Sequence, residues 1–569
     1  MTKHNLPPHA ATVLAAVLTL GLLLVSSVTA HAQDATARGE RVDRLLAAYS
    51  GEDAPGAAVA VVRNGEIAFQ RAYGMANLTH GIPYTVETVT NIGSSSKQFT
   101  AFAIRLLEVR GMLSINDDVR SYIPELPDFR ETVTLRHLLT HTSGYREVVN
   151  ALSVGGWRVF AGDYMDPSEY LTVVKLQPAL QNRPGAEYNY NNTGYGLLAI
   201  VAERVTGEPF PDWMRTNVFE PLGMKATRIR THPREVVPNS AQGYRPDGNG
   251  GFREAHDLGA APGAGAIYTT LGDLARWMRN FRTAELGGRA LRERMTTRNV
   301  LTSGDTSSYA MGLFVEESRS LRVVHHGGND AGHHSAFIYY PELDAGLIVH
   351  SNDAGFDRTI PARIAEIFFG EHMTPIEDPA VVWAPEDEDH AASDPRSLDV
   401  LAGRYELDAR PGFVLALWRQ GNRLIGQASG TGPFELRPTS DSTFVLVGST
   451  DGLTFHRDET GRVRGLTFHR NGDHPAQRLR GEERDLSVYV GRYYSAEFET
   501  FYTVKVEDGR LVLRHRRRPP TTLTHFQGDE FGGSFPLLRV DFERDAGGTV
   551  TGFRVSNVRA RDILFERRR

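Results

Sequence analysis

The sequence of 569 residues contains no cysteine. It therefore cannot form disulfides, bind a metal through thiolates or carry a lipid on a cysteine side chain. There is also no marked excess of basic residues, because the net charge is -6. This balance gives no reason to expect a nucleic acid or an anionic membrane as a partner. The length predicts two to four domains, since a single core does not grow this large.

Lysine is nearly absent as well. Of the 63 basic residues, 58 are arginine, and the lysines are confined to positions 3, 97, 175, 225 and 505. Lysine differs from arginine because burial can lower its pKa until it loses its proton. Lys97 follows Ser94 by three residues, which places both on one face of a helix. A serine beside a titratable amine is the arrangement of a Ser-Lys acyl-transfer site.

The first 32 residues have the pattern of a signal peptide. Lys3 and His4 precede an apolar stretch over 13–25, and Ala30-His31-Ala32 matches an Ala-x-Ala cleavage site. An uncleaved anchor is the alternative, but the apolar stretch is shorter than the ~20 residues of a membrane span. We therefore expect removal of 1–32, a periplasmic or secreted mature protein, and no membrane span after that removal.

Residues 35–372 mix strand and helix patterns and predict an α+β domain. The apolar run 57–62, Asn64-Gly65 and the run 67–69 predict a β-hairpin. Helices are predicted over 94–108 and after the capping sequence 270–273. Paired strands are predicted at 335–340 and 346–350, so the sheet is completed by segments far apart in the chain.

A proline-rich and acidic segment at 373–395 is predicted to be a linker. Beyond it, 396–482 and 483–569 form an internal repeat, because Gly403-Arg404-Tyr405 recurs as Gly491-Arg492-Tyr493. Short alternating runs between turn residues predict a small antiparallel barrel in each copy. A single sheet spanning both copies is the less economical alternative. The basic run 514–518 before two prolines is interpreted as a solvated strand end.

A second chemical motif is Tyr190-Asn191-Asn192. A phenol beside a protonated amine has a lowered pKa, so Tyr190 is expected to act as general base on Ser94 and then as acid to the leaving group. Asn192 is placed to orient Lys97 and a substrate carbonyl. The alternative is a polar loop that precedes a helix.

A third motif is His326-Gly327-Gly328-Asn329. Glycines in a strand allow a substrate backbone to approach, and the N–H of Asn329 is a candidate oxyanion donor together with that of Ser94. The histidine pairs 325–326 and 333–334 suggest a metal site as the alternative. Adjacent histidines on a strand point to opposite faces, however, so we predict no metal and no cofactor.

The order and context of these motifs resemble the class C β-lactamase and penicillin-binding-protein family of serine hydrolases. The resemblance implies a β-lactamase-like domain with an antiparallel sheet and a helical region, followed here by two small all-β antiparallel barrels. The matching stretches, which cover roughly 330 residues, are 91–101, 134–144, Pro184-Gly185, Tyr190-x-Asn192, 221–224 and His326-Gly327-Gly328.

The resemblance implies that Ser94 is the nucleophile, Lys97 and Tyr190 the proton-transfer pair, and Asn192 a positioning residue. His326 stands where β-lactamases have the lysine associated with the substrate carboxylate, and histidine is a weaker anchor. The His-x-Gly form and the two barrels are similar to D-aminopeptidases, in which a C-terminal barrel loop shapes the active-site mouth. The segments 495–499 and 514–518 are the candidates for that loop.

The sequence thus predicts an exported hydrolase that forms an acyl-enzyme on Ser94 and cleaves amide or ester bonds of small molecules or short peptides. His326, Gly328 and Asn329 are expected to bind substrate or the oxyanion. The alternatives are a true β-lactamase or D,D-carboxypeptidase, and a non-catalytic protein that binds cell wall or peptides. The oligomeric state is left open.

Overall fold

The computed structural model describes residues 36–568, except 160, 257–260, 376–394, 448, 450 and 481–483. The signal peptide predicted at 1–32 and most of the linker predicted at 373–395 lie outside the described residues.

The first part of the chain is built on a six-stranded antiparallel sheet in the order β10-β11-β12-β13-β1-β2. Its strands and those of three small sheets are β1 (Ala57–Arg63), β2 (Glu66–Tyr73), β3 (Met75–Asn77), β4 (Ile82–Pro83), β5 (Thr90–Asn91), β6 (Arg228–Ile229), β7 (Gly243–Pro246), β8 (Phe252–Ala255), β9 (Ile267–Thr269), β10 (Phe314–Ser318), β11 (Leu321–Asp330), β12 (His333–Tyr340) and β13 (Ala345–Ser351). The helices are α1 (36–45), α2 (Lys97–Val109), α3 (Leu135–Leu139), α4 (Val148–Val154), α5 (Glu169–Leu176), α6 (Asn192–Thr206), α7 (Phe210–Met214), α8 (Leu271–Thr283), α9 (Gly288–Met295) and α10 (Ile360–Phe369).

The local predictions for this part are confirmed. Asn64 and Gly65 both have positive φ and join β1 to β2, as a tight hairpin turn requires. Thr270 accepts a hydrogen bond from the Asp273 N–H and caps α8. The strand β1 pairs with both β2 and β13, so distant segments complete the sheet.

Helices cover both faces of the sheet, which explains why β1 is a continuous apolar run. Ala58 and Ala60 of β1 pack with α2 and α8 on one face. Val59 and Val61 pack with α1 and α10 on the other face. Within the described residues, the helices include none with the length and apolar character needed to cross a membrane.

The second part contains the two predicted barrels. Helix α11 (Pro395–Leu401) precedes a closed barrel of eight strands, and a separate nine-stranded sheet follows. The two edges of that sheet, β25 and β26, are consecutive in the chain, so it is a nearly closed barrel. The strands are β14 (Gly403–Leu407), β15 (Val414–Gln420), β16 (Arg423–Ala428), β17 (Phe434–Pro438), β18 (Thr443–Leu446), β19 (Gly452–Arg457), β20 (Val463–His469), β21 (Asp473–Arg478), β22 (Gly491–Ser495), β23 (Thr500–Glu507), β24 (Arg510–His515), β25 (Arg518–Thr522), β26 (Thr524–Gln527), β27 (Glu530–Gly532), β28 (Arg539–Arg544), β29 (Val550–Ser556) and β30 (Ile563–Arg568).

The repeated Gly-Arg-Tyr sequence has the same structural role in both copies. It begins β14 in the first barrel and β22 in the second. In each case the buried tyrosine hydroxyl donates to the carbonyl four residues earlier: Tyr405 to Leu401 and Tyr493 to Tyr489, both at 2.7 Å. The repeat is therefore a structural signature of the strand that opens each barrel.

The second barrel packs directly on the first part of the chain. The hydroxyl of Tyr502 donates to the carbonyl of Val154 at 3.2 Å, and Arg518 donates to the carbonyl of Ser153 at 2.8 Å. Buried apolar residues of this barrel are continuous with the core on the α2 face of the sheet. The segments 495–499 and 514–518 therefore meet the end of α4. The interpretation of 514–518 as a solvated strand end is wrong for His515, which is buried, and for Arg518.

Candidate active site

Ser94 lies in a 3₁₀ turn, Gly93–Ser96, that leads directly into α2. Gly93 has a φ of +48°, and a Cβ there would lie 2.9 Å from the backbone nitrogen of Asn329. Only glycine combines this conformation with so close a neighbour. Ser94 is partly exposed in a cavity, whereas Ser95 and Ser96 are buried. The turn therefore presents one serine hydroxyl to the cavity and brings the β11 backbone next to it.

Lys97 is buried directly below Ser94. Its Nζ lies 3.1 Å from Ser94 Oγ, and it donates to Asn192 Oδ1 and to the Ala264 carbonyl, both at 2.7 Å. The pKa of this ammonium group is lowered to about 7, chiefly by burial; the charge of Glu147 opposes the shift and that of Arg559 contributes to it. Lys97 is thus held as an amine that gains and loses a proton near neutral pH.

Tyr190 lines the cavity together with Ser94. Its ring also contacts two basic side chains: Lys97 Nζ is 4.9 Å and Arg559 Cζ is 4.6 Å from the ring centroid. Burial raises the pKa of the Tyr190 phenol above its ordinary value, although Ser94 and Arg559 oppose that shift. The prediction of a lowered pKa is therefore wrong, because desolvation of the phenolate outweighs the neighbouring positive charge.

Asn192 connects Lys97 to a buried carboxylate that the sequence analysis missed. Its amide nitrogen donates to Glu147 Oε1 at 2.7 Å, while its oxygen accepts from Lys97. The other Glu147 oxygen accepts from the Asn150 N–H at 2.9 Å and caps α4. The sequence does show Glu147 as an acidic residue directly before the apolar run 148–149. That pattern indicates the start of a helix and gives no sign of a contact with Asn192.

His326 is buried and neutral. Its Nδ1 donates to the Gly327 carbonyl at 2.7 Å, so Nε2 is left to accept from the Tyr309 hydroxyl at 3.2 Å. The pKa of His326 is lowered to about 3, chiefly by burial and also by the charge of Lys97. This histidine cannot replace the cationic lysine of the β-lactamase motif at neutral pH.

The structure places the two motif glycines differently. Gly327 lines the cavity, whereas a Cβ on Gly328 would lie 1.8 Å from the carbonyl oxygen of Ile92. Asn329 is exposed and lines the cavity, and its side chain accepts from His334 Nδ1 at 2.9 Å. The prediction that Gly328 meets the substrate is not supported by this placement, because its close neighbour is the chain that leads into the Ser94 turn.

Gly328→Ala is expected to lower the free energy of unfolding by about 3 kcal/mol, because the new methyl overlaps a backbone oxygen that cannot move aside. Gly327→Ala is the matched control. Its Cβ would meet the Ser335 carbonyl at 3.6 Å, an ordinary contact, and a change within about 0.5 kcal/mol is expected. Urea unfolding of both variants measures the difference. Equal stabilities would contradict this packing.

The cavity has a volume of about 1000 Å³ and lies between the two parts of the chain. The loop between β29 and β30 supplies Val558, Arg559 and Arg561 to its wall, and Phe535 comes from the same barrel. The barrel segment that reaches the site is therefore this loop, whereas 495–499 and 514–518, predicted for that role, do not line the cavity. The apolar part of the cavity wall includes Val149, Val159, Met165, Tyr170 and Phe314.

The histidine pairs do not assemble into a metal-binding group. His325 is partly exposed and lies 3.2 Å from Glu316, whereas His326 is buried on the opposite face of β11. Among the described residues, no three histidine, aspartate or glutamate side chains are grouped to hold an ion.

The family described as Beta-lactamase matches residues 42–368. A penicillin-binding protein of Bacillus subtilis (strain 168) is 28% identical over 412 residues, which cover 68% of this chain and 87% of that protein. A D-aminopeptidase of Gluconobacter oxydans (strain 621H) is 24% identical over 555 residues, which cover 92% of this chain and 98% of that protein. The octameric penicillin-binding protein homologue from Pyrococcus abyssi has a similar fold, with a TM-score of 0.55 and 20% identity over 84% of this chain and 98% of that one.

Proposed function

Because this chain belongs to the beta-lactamase family of serine hydrolases, we propose that Ser94 is its nucleophile and that catalysis uses the Ser-Lys-Tyr set of the class C branch. The observation that carries this proposal is the contact of Lys97 Nζ with Ser94 Oγ at 3.1 Å, in a site where the lysine loses its proton near neutral pH. Tyr190 lines the same cavity as Ser94, and its ring centroid lies 4.9 Å from Lys97 Nζ.

Lys97 is the base in this proposal. As a neutral amine it has two N–H groups, which satisfy Asn192 and Ala264, and one lone pair that accepts the Ser94 proton. Ser94 Oγ then bonds to the substrate carbonyl carbon. Tyr190, a neutral phenol at working pH, gives its proton to the leaving nitrogen or oxygen and recovers one from Lys97. Water releases the acyl group by the same steps in reverse.

The backbone N–H groups of Ser94 and Asn329 are proposed as the oxyanion donors. The close approach of Gly93 to Asn329 N supports this role, since it holds the two backbones together beside the serine. Donors fixed before the reaction stabilise a developing oxyanion without reorganisation.

The proposed substrates are amides or esters of small or peptide-like molecules. A cavity of about 1000 Å³ with an apolar wall holds such a molecule. D-aminopeptidase relatives that align along nearly the whole chain are consistent with a peptidase or esterase. A neutral His326 disfavours a true β-lactamase, and slow or no hydrolysis of nitrocefin is expected.

Fluorophosphonate labelling tests the proposed nucleophile. The native protein is expected to be labelled, and Ser94→Ala to lose both label and turnover, because the probe reacts only with an activated serine. Ser303→Ala, which removes an exposed hydroxyl, is the control and should label like the native protein. Failure of the native protein to label, together with ligand binding that Ser94→Ala leaves intact, would favour the non-catalytic alternative.

We also propose that the protein is exported. The support is the charged start, the apolar stretch over 13–25 and the Ala-x-Ala site that ends at Ala32. N-terminal sequencing of the protein from the extracytoplasmic fraction should begin at Gln33.

A further inference from the structure

A second cavity of about 540 Å³ is separate from the catalytic cavity and is strongly basic. The C-terminal half of α2, the first turn of α3, helix α9 and the segment after α9 contribute to its wall. We call it the arginine pocket, after the four arginines that line it, Arg105, Arg136, Arg294 and Arg298. Within the described part of the chain, the two cavities share no lining residue. Arg105 follows Lys97 on α2 by eight residues, a rise of about 12 Å along the helix axis.

Arg105 forms the buried end of the arginine pocket. Its side chain is only 2% exposed, and one nitrogen of its guanidinium forms an ion pair with Glu108. Its Nε and Nη2 have no hydrogen-bond partner among the described residues. Buried polar atoms are almost always hydrogen-bonded, and a buried charge costs free energy unless it is fully paired. Arg105 is therefore a buried cation whose pairing within the protein is incomplete.

The other three arginines increase the positive charge around Arg105. Arg136 is half-buried, whereas Arg294 and Arg298 are exposed. The pKa of Arg105 is lowered, chiefly by burial; the charge of Glu108 opposes the shift, and the charges of Arg294 and Arg136 contribute to it. These like charges are thus close enough to repel one another, and an anion bound among them would offset that repulsion.

The carboxylates of the protein do not balance this charge. Glu108 is the one carboxylate that lines the pocket within the described residues, and it already binds Arg105 and a backbone N–H at 3.1 Å. In the same part of the chain, Arg294 and Arg298 have no carboxylate partner. Arg136 donates to a neutral amide oxygen at 3.1 Å. Four guanidinium groups and one carboxylate leave a net charge of +3 in the pocket.

We propose that the arginine pocket binds a small molecule through a phosphate group. A volume of about 540 Å³ lies within the range of roughly 300–1,000 Å³ for small-molecule sites. A phosphate group carries about two negative charges and three acceptor oxygens, so it binds several guanidinium groups at once. A carboxylate carries one charge and accepts from one guanidinium fork, which would leave most of the pocket's charge unpaired. The phosphate belongs either to the free inorganic anion or to a phosphate ester.

Isothermal titration calorimetry of the native protein with inorganic phosphate, inorganic diphosphate and glycerol phosphate tests this proposal. All buffers have the same ionic strength, adjusted with sodium chloride, because salt screens exposed charges. Saturable binding is expected, together with a higher midpoint of thermal unfolding, since a ligand that binds only the folded protein stabilises it. Tighter binding of glycerol phosphate would identify a phosphate ester as the ligand, and tighter binding of inorganic phosphate the free anion; both results support a phosphate site.

Arg294→Gln and Arg298→Gln are each expected to weaken phosphate binding by about 10-fold, the effect of losing one charge-assisted hydrogen bond. Both side chains are exposed, so both variants should fold. Arg289→Gln is the matched control, because it removes another exposed arginine of α9 that does not line the pocket. Arg559→Gln is the control for the catalytic cavity, which also contains arginine. Neither control should change the affinity.

Absence of saturable binding of all three probes to the native protein would overturn the proposal without any variant. Loss of binding in Arg559→Gln would place the phosphate in the catalytic cavity, and equal weakening in Arg289→Gln would reduce binding to general charge attraction, so either result refutes the site. Malonate, a dicarboxylate, should bind more weakly than phosphate, and equal affinity would refute the phosphate assignment. Because binding is measured without turnover, each of these failures leaves the proposed function of Ser94 untouched.

Discussion

Replacement of Lys97 by arginine is expected to lower kcat/KM by about a thousandfold, the loss typical of a missing general base. A guanidinium keeps its proton at any working pH, so it cannot accept the one from Ser94. In the native protein, activity should rise with pH through about 7, because Lys97 is protonated below its folded-state pKa and becomes a base above it. The pH dependence of kcat/KM for a neutral ester measures this rise in activity directly.

Lys175→Arg is the matched control, because it makes the same substitution at an exposed lysine on α5. It should leave both the rate and the pH dependence unchanged. A Lys97→Arg variant with near-native activity, or a native profile flat between pH 6 and pH 8, would show that another group takes the proton. Tyr190 would then be the first alternative, since it lines the same cavity as Ser94 and lies beside Lys97.

Glu497→Ala is expected to lower the free energy of unfolding by about 3–5 kcal/mol, the cost of leaving one charge of a buried ion pair without its partner. Glu497 of the second barrel pairs with Arg146, and the two side chains are only 7% and 4% exposed. Arg146 also donates from Nε to the Arg561 carbonyl at 3.1 Å, so the variant should also loosen the loop that carries Arg559. Denaturant unfolding measures the first effect, and kcat/KM for a neutral ester measures the second.

Glu566→Ala provides the comparison, because its ion pair with Arg568 is half exposed and should contribute less than about 1 kcal/mol. The double variant Arg146→Met with Glu497→Leu should recover much of the lost stability, since an apolar pair leaves no buried charge. If Glu497→Ala and Glu566→Ala were equally mild, the contact between barrel and cavity would not depend on the buried pair.

Local patterns predicted much of the fold. The Asn64-Gly65 turn, the cap at Thr270 and the alternating runs of the barrels are signals carried by a few neighbouring residues, and they were found. The nine-stranded form of the second barrel was not predicted. A corner at Leu523 separates β25 from β26. A sequence pattern does not distinguish two strands interrupted by one residue from one continuous strand.

The sequence predicted the parts of the site that lie close together in the chain, and it did not predict the contacts between distant segments. Ser94 and Lys97 are three residues apart, so their contact follows from helix geometry. Glu147 and Arg559 meet through the packing of two distant segments, and neither lies in a motif with recognisable spacing. The raised pKa of Tyr190 results from burial in the folded protein, and the residues next to Tyr190 in the sequence do not reveal that burial.

The pairing of β1 with β13 has a consequence for the order in which the molecule assembles. Ala57 lies opposite Ser351, so the central sheet cannot close until nearly the whole first part of the chain has been brought together. Contacts between such distant segments slow folding, since their closure entropy is lost before the contact forms. Gly93 and Asn329 are separated in the same way, so the surroundings of the Ser94 hydroxyl are complete only once these distant segments have met.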